Sequence, residues 1–188
     1  TDDYDGDGTI DVVVGGAWSD DDTELCIQDG TVGSAVYCGG WVHVLLMDGN
    51  DGTPGNVAHA TYAGATGDGD TTYGAWAGYD LANMGDLDGD GWSEVAIGKP
   101  LASEIEVYPG DLLQAGGELS SNNAMATAKG GTFMGFDVAS LGDVDGDGLA
   151  ELVGSVSDGW IGGANGNLDL RVWTGAQVAS GGTLVGSA

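Results

Sequence analysis

The chain of 188 residues contains 30 acidic residues and only 3 lysines and arginines, so its formal net charge at pH 7 is −27. Because so few basic side chains could neutralise phosphates, we expect no nucleic acid among its partners. No apolar run approaches the roughly 20 residues that a membrane-spanning helix needs, and the 38 glycines and 3 prolines favour short strands and tight turns over helices. We therefore expect an all-β protein without a membrane span.

The first unit, residues 1–66, begins with an acidic segment and continues into short apolar runs bounded by glycines or turn residues. Such runs are typical of strands. Strands are predicted over 10–16, 41–47 and 57–63. A polar, glycine-rich stretch over 18–40 predicts an inserted loop. Because the chain starts inside this unit, we expect a mature or trimmed product whose first unit lacks its innermost strand.

Two cysteines, Cys26 and Cys38, lie in the inserted loop. A disulfide between them would close a short polar loop and would indicate an oxidising compartment. We expect this disulfide, with two free thiols as the alternative.

The second unit, residues 67–129, and the third unit, residues 130–188, repeat one order of strands and acidic loop. In the second unit we predict strands over 78–84, 95–98, 104–108 and 124–129, with one helical turn over 112–115. In the third unit we predict strands over 136–141, 152–156, 168–173 and 183–185, with turn-rich segments over 158–167 and 174–182. Four short antiparallel strands per unit match the size of one β-propeller blade.

A loop of the form Gly-Asp-x-Asp-Gly-Asp-Gly occurs in both later units, and similarly spaced aspartates open the chain. The first, second and third acidic loops span Asp3–Asp11, Asp86–Glu94 and Asp143–Glu151. The second and third loops start 57 residues apart, whereas the first and second start 83 residues apart. The difference corresponds to the inserted loop, and the recurrence indicates a repeat architecture.

Each acidic loop places carboxylates at its positions 1, 3, 5 and 9. Anions so close repel one another unless a cation lies between them, and alternating oxygen ligands suit calcium best among the common ions. An EF-hand would need a glutamate at position 12, where this chain has Val14, Ile97 and Gly154. We therefore predict Ca²⁺ sites of another kind, with an acidic, solvated turn as the alternative.

Around the loops, the segments Gly78–Gly98 and Gly135–Gly154 share a longer pattern. It runs Gly-aromatic-Asp-aliphatic-Ala, then the acidic loop, a glutamate and an aliphatic run. The pattern resembles the FG-GAP repeat, the calcium-binding blade of integrin α-subunit propellers and of many bacterial secreted proteins. Ala77 and Met134 stand where the family has the phenylalanine of its name.

The resemblance implies a partial β-propeller of three four-stranded antiparallel blades, one per unit, with a metal site on the rim at each loop. A propeller typically takes about 4 to 8 blades to close, so three blades would not close one. The resemblance also implies the side-chain ligands of three Ca²⁺ ions, which are Asp3, Asp5, Asp7, Asp11, Asp86, Asp88, Asp90, Glu94, Asp143, Asp145, Asp147 and Glu151. Position 7 would contribute the backbone carbonyl groups of Thr9, Trp92 and Leu149.

Other residues that could carry chemistry are better explained by packing. The two histidines, His43 and His59, lie in strand-like segments without the His/Cys cluster or Gly-x-Ser-x-Gly motif of common catalytic sites. Asp68 and Asp70 form a weaker acidic turn. We expect the six tryptophans to fill gaps between blades rather than to bind sugars, and these are Trp18, Trp41, Trp76, Trp92, Trp160 and Trp173.

The sequence therefore favours a calcium-stabilised adhesion or structural module, secreted or at the cell surface, without catalysis of its own. Its expected partners are an extracellular protein or glycan, or other copies of itself in a filament or surface layer. The alternative is an accessory or catalytic part of a secreted carbohydrate- or phospholipid-active enzyme, because paired carboxylates can also hydrolyse glycosides.

Overall fold

The structure is a computed structural model in which residues 2–4, 8–17, 40–47, 54–56, 60–63, 76–115, 117–157 and 168–185 are described. Some of the sequence-based predictions fall outside these ranges and stay predictions. They concern Asp5, Asp7, Trp18, the Cys26–Cys38 pair, His59, Asp68, Asp70 and Trp160.

The described residues form thirteen strands and two short helices, which confirms the prediction of a mainly β protein. No helix among them is long and apolar enough to cross a membrane. The strands are β1 (Val12–Gly16), β2 (Trp41–Met47), β3 (Pro54–Asn56), β4 (Ala60–Ala63), β5 (Leu81–Gly85), β6 (Glu94–Lys99), β7 (Glu104–Tyr108), β8 (Gly117–Leu119), β9 (Ala126–Lys129), β10 (Val138–Ser140), β11 (Leu152–Ser157), β12 (Leu168–Trp173) and β13 (Gly182–Val185). The helices are α1 (Gly110–Ala115) and α2 (Gly175–Ala179).

The strands form three sheets. The first sheet has the order β1-β2-β4-β8, with β3 also beside β2. The second sheet has the order β5-β6-β7-β9-β13, and the third sheet has the order β10-β11-β12. Where neighbouring strands of a sheet come from the same unit, they pair antiparallel, as the sequence predicted.

Two strand pairs differ from the predicted antiparallel blades. Strand β8 of the second unit runs parallel to β4 of the first unit, and β13 of the third unit runs parallel to β9 of the second. In both cases a short helix precedes the strand and carries the chain back to the neighbouring sheet. The expectation of wholly antiparallel, four-stranded blades is therefore wrong at these edges, because each later unit lends one strand to the unit before it.

Apolar side chains fill the spaces between successive sheets. The first and second sheets enclose one cluster, in which Val42 and Val44 of β2 meet Val95 and Ile97 of β6. The second and third sheets enclose another, which includes Trp173 at the end of β12. The alternation of buried and half-buried residues along β2 follows from this arrangement, since every second side chain points toward the second sheet.

Glycines allow the backbones of neighbouring units to touch. A Cβ atom on Gly15 would lie 2.3 Å from the carbonyl oxygen of Gly78, and one on Gly98 would lie 2.2 Å from that of Gly135. Both distances are shorter than a side chain permits, so only glycine fits at Gly15 and Gly98 without a shift of the backbone. The two contacts are equivalent, because each joins the strand after an acidic loop to the Gly-aromatic-Asp segment of the next unit.

The two helices occupy equivalent places after the third strand of their units. Helix α1 confirms the helical turn predicted over 112–115. Helix α2 lies within 174–182, where we predicted only turns. Thr174 and Gln177 form a capping box there, in which each side chain accepts a hydrogen bond from the backbone N–H of the other.

Candidate metal centres

The second acidic loop is folded by its own aspartates. Both side-chain oxygens of Asp86 accept hydrogen bonds, from the N–H groups of Gly89 at 2.7 Å and Gly91 at 3.0 Å. Asp88 accepts one from Asp90 at 3.1 Å. The left-handed φ angles of Gly89 and Gly91, +83° and +94°, explain why glycine occupies both positions.

The third acidic loop repeats this geometry. Asp143 accepts hydrogen bonds from Gly146 at 2.6 Å and Gly148 at 2.9 Å, and Asp145 accepts one from Asp147 at 3.1 Å. The two glycines have φ angles of +84° and +94°. Two segments 57 residues apart in the chain therefore adopt one loop conformation with the same internal hydrogen bonds.

Each loop brings three aspartates together at its exposed surface. One carboxylate oxygen from each of Asp86, Asp88 and Asp90 lies within 4.8 Å of the other two, and Asp143, Asp145 and Asp147 form an equivalent triad. At such distances two unit charges repel by about 1 kcal/mol even in water. A hard divalent cation would relieve that repulsion, and three converging carboxylates match the oxygen ligands that Ca²⁺ prefers.

The predicted position 9 ligands are not members of these triads and are buried. Glu94 is fully buried, and its two oxygens accept hydrogen bonds from the N–H groups of Leu87 at 2.5 Å and Gly110 at 3.1 Å. Glu151 is 2% exposed and is held in the same way by Val144 at 2.7 Å and Gly175 at 3.4 Å. In both units the glutamate thus joins the start of the acidic loop to the start of the short helix.

Burial raises the pKa of Glu94 to about 7. The two backbone N–H groups oppose this rise, while the nearby charges of Asp88 and Asp90 add to it. Glu94 therefore binds a proton near neutral pH when no cation is present, and a cation in the loop would favour its charged form.

The described part of the first acidic loop follows the same plan. Asp11 is fully buried, and its two oxygens accept hydrogen bonds from the backbone N–H groups of Tyr4 at 2.6 Å and Met47 at 2.7 Å. Like the two glutamates, it is thus held by one donor from its own loop and one from a distant segment, here the end of β2. Asp3 accepts one from Gly8 at 2.9 Å. The other two predicted side-chain ligands of this loop lie outside the described residues, so no triad is described there.

The position 7 residues take part in the loop turns through their N–H groups. Trp92 donates to Asp90 at 2.8 Å, and Leu149 donates to Asp147 at 2.9 Å. Thr9, the equivalent residue of the first loop, is half-buried. The participation of their carbonyl groups in metal binding stays a prediction.

Sequence reasoning missed the residues that anchor the position 9 carboxylates. Gly110 and Gly175 stand two residues after the buried aromatic residue that ends the third strand of each unit, Tyr108 or Trp173. Alignment of the units beyond the acidic loops would have shown this aromatic-x-Gly pattern. A Cβ atom on either glycine would lie 2.4 Å from the Cβ atom of the position 7 residue of its loop.

Asp2 is a second residue that the loop spacing did not indicate. Its carboxylate accepts hydrogen bonds from Asn83 at 3.0 Å and from the hydroxyl group of Ser93. Burial alone would raise its pKa, but these hydrogen bonds lower the pKa overall. Asp2 therefore ties the first acidic loop to the flanks of the second.

The remaining candidate residues fit packing roles where they are described. His43 lies in β2 with its ring 4.6 Å from that of Trp41. Trp173 is 1% exposed and packs in the core between the second and third sheets. Trp76 packs with Phe136 and Ala17, while Trp92 is half-buried within the second acidic loop.

No known family model matches the chain, and no curated protein sequence matches it at a significant level. The resemblance to FG-GAP repeats therefore rests on the motif residues themselves.

Proposed function

We propose that the chain is a calcium-stabilised extracellular adhesion or structural module built of FG-GAP-type repeats, without catalysis of its own. The observation that supports this proposal best is the recurrence of one loop conformation, with three converging aspartates, in two units. In both copies the carboxylates at positions 1, 3 and 5 converge, which is the arrangement that a bound cation would need.

We propose one Ca²⁺ ion at each acidic loop. The aspartates at positions 1, 3 and 5 would supply the exposed ligands of the ion. The buried carboxylates of Asp11, Glu94 and Glu151 would complete it from the strand side, each using lone pairs that the backbone N–H groups leave free. Calcium accepts 6 to 8 oxygen ligands at about 2.3–2.6 Å, so carbonyl groups and water would fill the remaining positions.

An ion at such a loop would stabilise the packing of the unit as well as the loop. Glu94 already joins the loop to α1, whose Leu113 is fully buried between the first and second sheets. A cation beside the Glu94 carboxylate would reduce the free-energy cost of burying its negative charge. A ligand that binds only the folded chain adds stability that grows with its concentration.

The proposed location, secreted or at the cell surface, follows from this calcium dependence. Weak calcium sites of extracellular modules fill at about millimolar concentrations, which the cytosol does not supply. The blade arrangement of a partial propeller and an extracellular protein or glycan as partner belong to the same proposal. The stacking of successive sheets through equivalent contacts supports the repeat arrangement.

Thermal unfolding with calcium and with a chelator tests the proposal. We expect calcium to raise the melting temperature by several degrees, since about 1 kcal/mol shifts Tm by about 2–4 °C for a chain of this size. Asp88→Asn and Asp145→Asn keep the side-chain oxygen that each turn needs but remove one charge from each triad. Each variant should lose a part of the calcium effect.

Asp137→Asn is the matched control, because Asp137 is exposed and lies outside the acidic loops. It should melt like the wild type under both conditions. Identical melting of the wild type with calcium and with chelator would refute the proposal. A calcium effect that neither triad variant reduces would place the ions elsewhere.

A further inference from the structure

The side of the third sheet that points away from the second sheet carries five exposed apolar side chains. We call it the outer face, and its members are Leu141 (46% exposed), Val144 (65%), Leu168 (70%), Leu170 (58%) and Val172 (42%). Trp173 of the same strand points into the core between the second and third sheets. Strand alternation therefore directs Val172, Leu170 and Leu168 the other way.

The equivalent side chains of the second sheet can be identified from strand register. Ile105 and Val107 of β7 pair with Gly98 and Ala96. Leu170 and Val172 of β12 pair with the corresponding residues of β11, Ser155 and Val153. Ile105 thus corresponds to Leu170, and Val107 corresponds to Val172.

The remaining correspondence follows from the acidic loops. Met84 lies two residues before the second acidic loop, and Leu141 lies two residues before the third, so these two residues correspond. Leu87 and Val144 are the second residues of the same two loops, so they correspond as well. All four residues of the second sheet are buried by the third sheet and its helix, with exposed fractions of 0% for Ile105 and Val107, 1% for Met84 and 3% for Leu87. The outer face is therefore an apolar surface of the kind that a following sheet covers.

The side of the first sheet that points away from the second sheet is suited to cover the outer face. In the second sheet, Val95, Ile97 and Tyr108 face the first sheet and are 0–1% exposed. The equivalent residues of the first sheet are Val12, Val14 and Leu45. They point away from the second sheet and are partly exposed. Within the described residues, the first sheet thus presents the apolar side that a preceding sheet would cover.

Charge also favours contact between these two surfaces. The chain has 30 acidic residues, but the strands of the two surfaces, β1, β2, β10, β11 and β12, contain only Asp169. Arg171 lies two residues away on β12, with its guanidinium group 3.9 Å from the Asp169 carboxylate. Contact through these strands would bring fewer like charges together than contact elsewhere on this acidic chain, although Val144 of the outer face lies between Asp143 and Asp145.

We infer that the outer face of the third sheet binds the first sheet of a second copy of this chain, in a head-to-tail arrangement that continues the packing of successive sheets. Such a contact uses two different surfaces, so each added copy leaves one of each open. The assembly is therefore a chain of copies or a ring. The inference specifies the self-association that the proposed function leaves open, and it rests on sheet packing rather than on calcium.

Sedimentation velocity over a range of protein concentrations tests the inference, in calcium and enough salt to screen the net charge. We expect the wild type to form species larger than a monomer as its concentration rises. Leu170→Asp should weaken this association by at least about tenfold, since a buried aliphatic contact would be replaced by a buried charge. Val185→Asp is the matched control, because Val185 is 79% exposed on β13 of the second sheet.

Mixing separates head-to-tail association from a symmetric dimer. Val12→Asp blocks the first sheet, and Leu45→Gln is a milder substitute should that variant fail to fold. Each blocked variant alone should stay monomeric, but an equimolar mixture of Leu170→Asp and the first-sheet variant should form a dimer that does not grow. Circular dichroism of every variant confirms its fold.

Three results would overturn the inference. They are a wild type that stays monomeric at the highest soluble concentration, a Leu170→Asp variant that associates like the wild type, and a first-sheet variant that still dimerises alone. Melting of the same samples with calcium and chelator separates this failure from failure of the proposed function. Association without a calcium effect would support the inference and refute the calcium module.

Discussion

Glu94 is a buried carboxylate whose charged form the proposed calcium ion would favour. It is fully buried, and both of its oxygens accept backbone hydrogen bonds from Leu87 and Gly110. Burial raises its pKa to about 7, so the folded chain holds a proton there that the unfolded chain releases near the ordinary value of 4.5. In chelator, Glu94 therefore contributes stability that is complete below about pH 4.5 and is lost as pH rises through about 7.

We predict that Glu94→Gln removes this pH dependence. In chelator, the free energy of unfolding of the wild type should fall relative to that of Glu94→Gln between pH 4.5 and 7, by up to about 3 kcal/mol. Urea unfolding at several pH values measures this difference. In calcium the relative fall should shrink, because a nearby cation favours the charged carboxylate.

Glu94→Gln should also lower the free energy of unfolding by an amount that does not depend on pH. Glutamine places an N–H₂ group where the carboxylate accepts two backbone donors, which should cost about 1–3 kcal/mol. Asp137→Asn is again the control, since its exposed side chain should change neither the stability nor its pH dependence. Equal pH dependence of the wild type and Glu94→Gln in chelator would contradict the raised pKa.

At the residue scale, the sequence predicted that the aspartates of each triad lie together, but not which backbone N–H groups bind Glu94 and Glu151. Alternate aspartates in a glycine-rich loop must converge, because the loop turns within a few residues, and spacing alone conveys this. The donor from Gly110 lies 16 residues beyond Glu94 and the donor from Gly175 lies 24 residues beyond Glu151. Local spacing contains no information on such contacts.

At the scale of elements, strands join the units through close glycine contacts. Gly98 of β6 lies against the backbone of Gly135, at the start of the third unit, and Gly15 of β1 lies against Gly78 in the same way. Ser155 stands at the place in β11 that Gly98 has in β6, and its hydroxyl oxygen accepts a hydrogen bond from Asp137 at 2.9 Å. A side chain is thus tolerated in the third sheet, where no following unit is described.

We predict that Gly98→Ala destabilises the chain by about 1–3 kcal/mol, at the upper end because its methyl group would meet backbone rather than a flexible side chain. Ser155→Ala keeps a Cβ atom at the equivalent place and loses one hydrogen bond, so it should cost no more than about 1 kcal/mol. Urea unfolding in calcium compares the two. Equal stability of Gly98→Ala and the wild type would show that the second and third units do not pack as described.

The strands were predicted well where the pattern was local. The bounds of β2, β7 and β12 match their predicted ranges, since apolar alternation and flanking turn residues mark them. Strand β8 was missed, because it has three residues and pairs with a strand of another unit. The strand of β13 was predicted, but its parallel partner in the second sheet was not.

At the scale of the whole molecule, strand exchange ties each described unit to the one before it. Helix α1 and β8 return to the first sheet, and α2 and β13 return to the second. The sequence contains the evidence for repetition, but adjacent pairing could equally have stayed within each unit. The pairing of β8 with β4 and of β13 with β9 shows that neighbouring sheets share their edge strands.

The net charge of −27 acts on the molecule as a whole. Mutual repulsion among so many carboxylates opposes a compact state, and bound divalent cations reduce it. Each occupied loop would lower the net charge by two, so the stabilising effect of calcium should exceed that of the same ionic strength of sodium chloride.

Calcium binding measured by equilibrium dialysis, in enough sodium chloride to suppress loose counterion association, tests the central claim most directly. Our account predicts saturable binding of three ions per chain, one for each acidic loop, and the loss of two of them in a variant that combines Asp88→Asn with Asp145→Asn. Binding that never saturates, or that the combined variant retains in full, would contradict it.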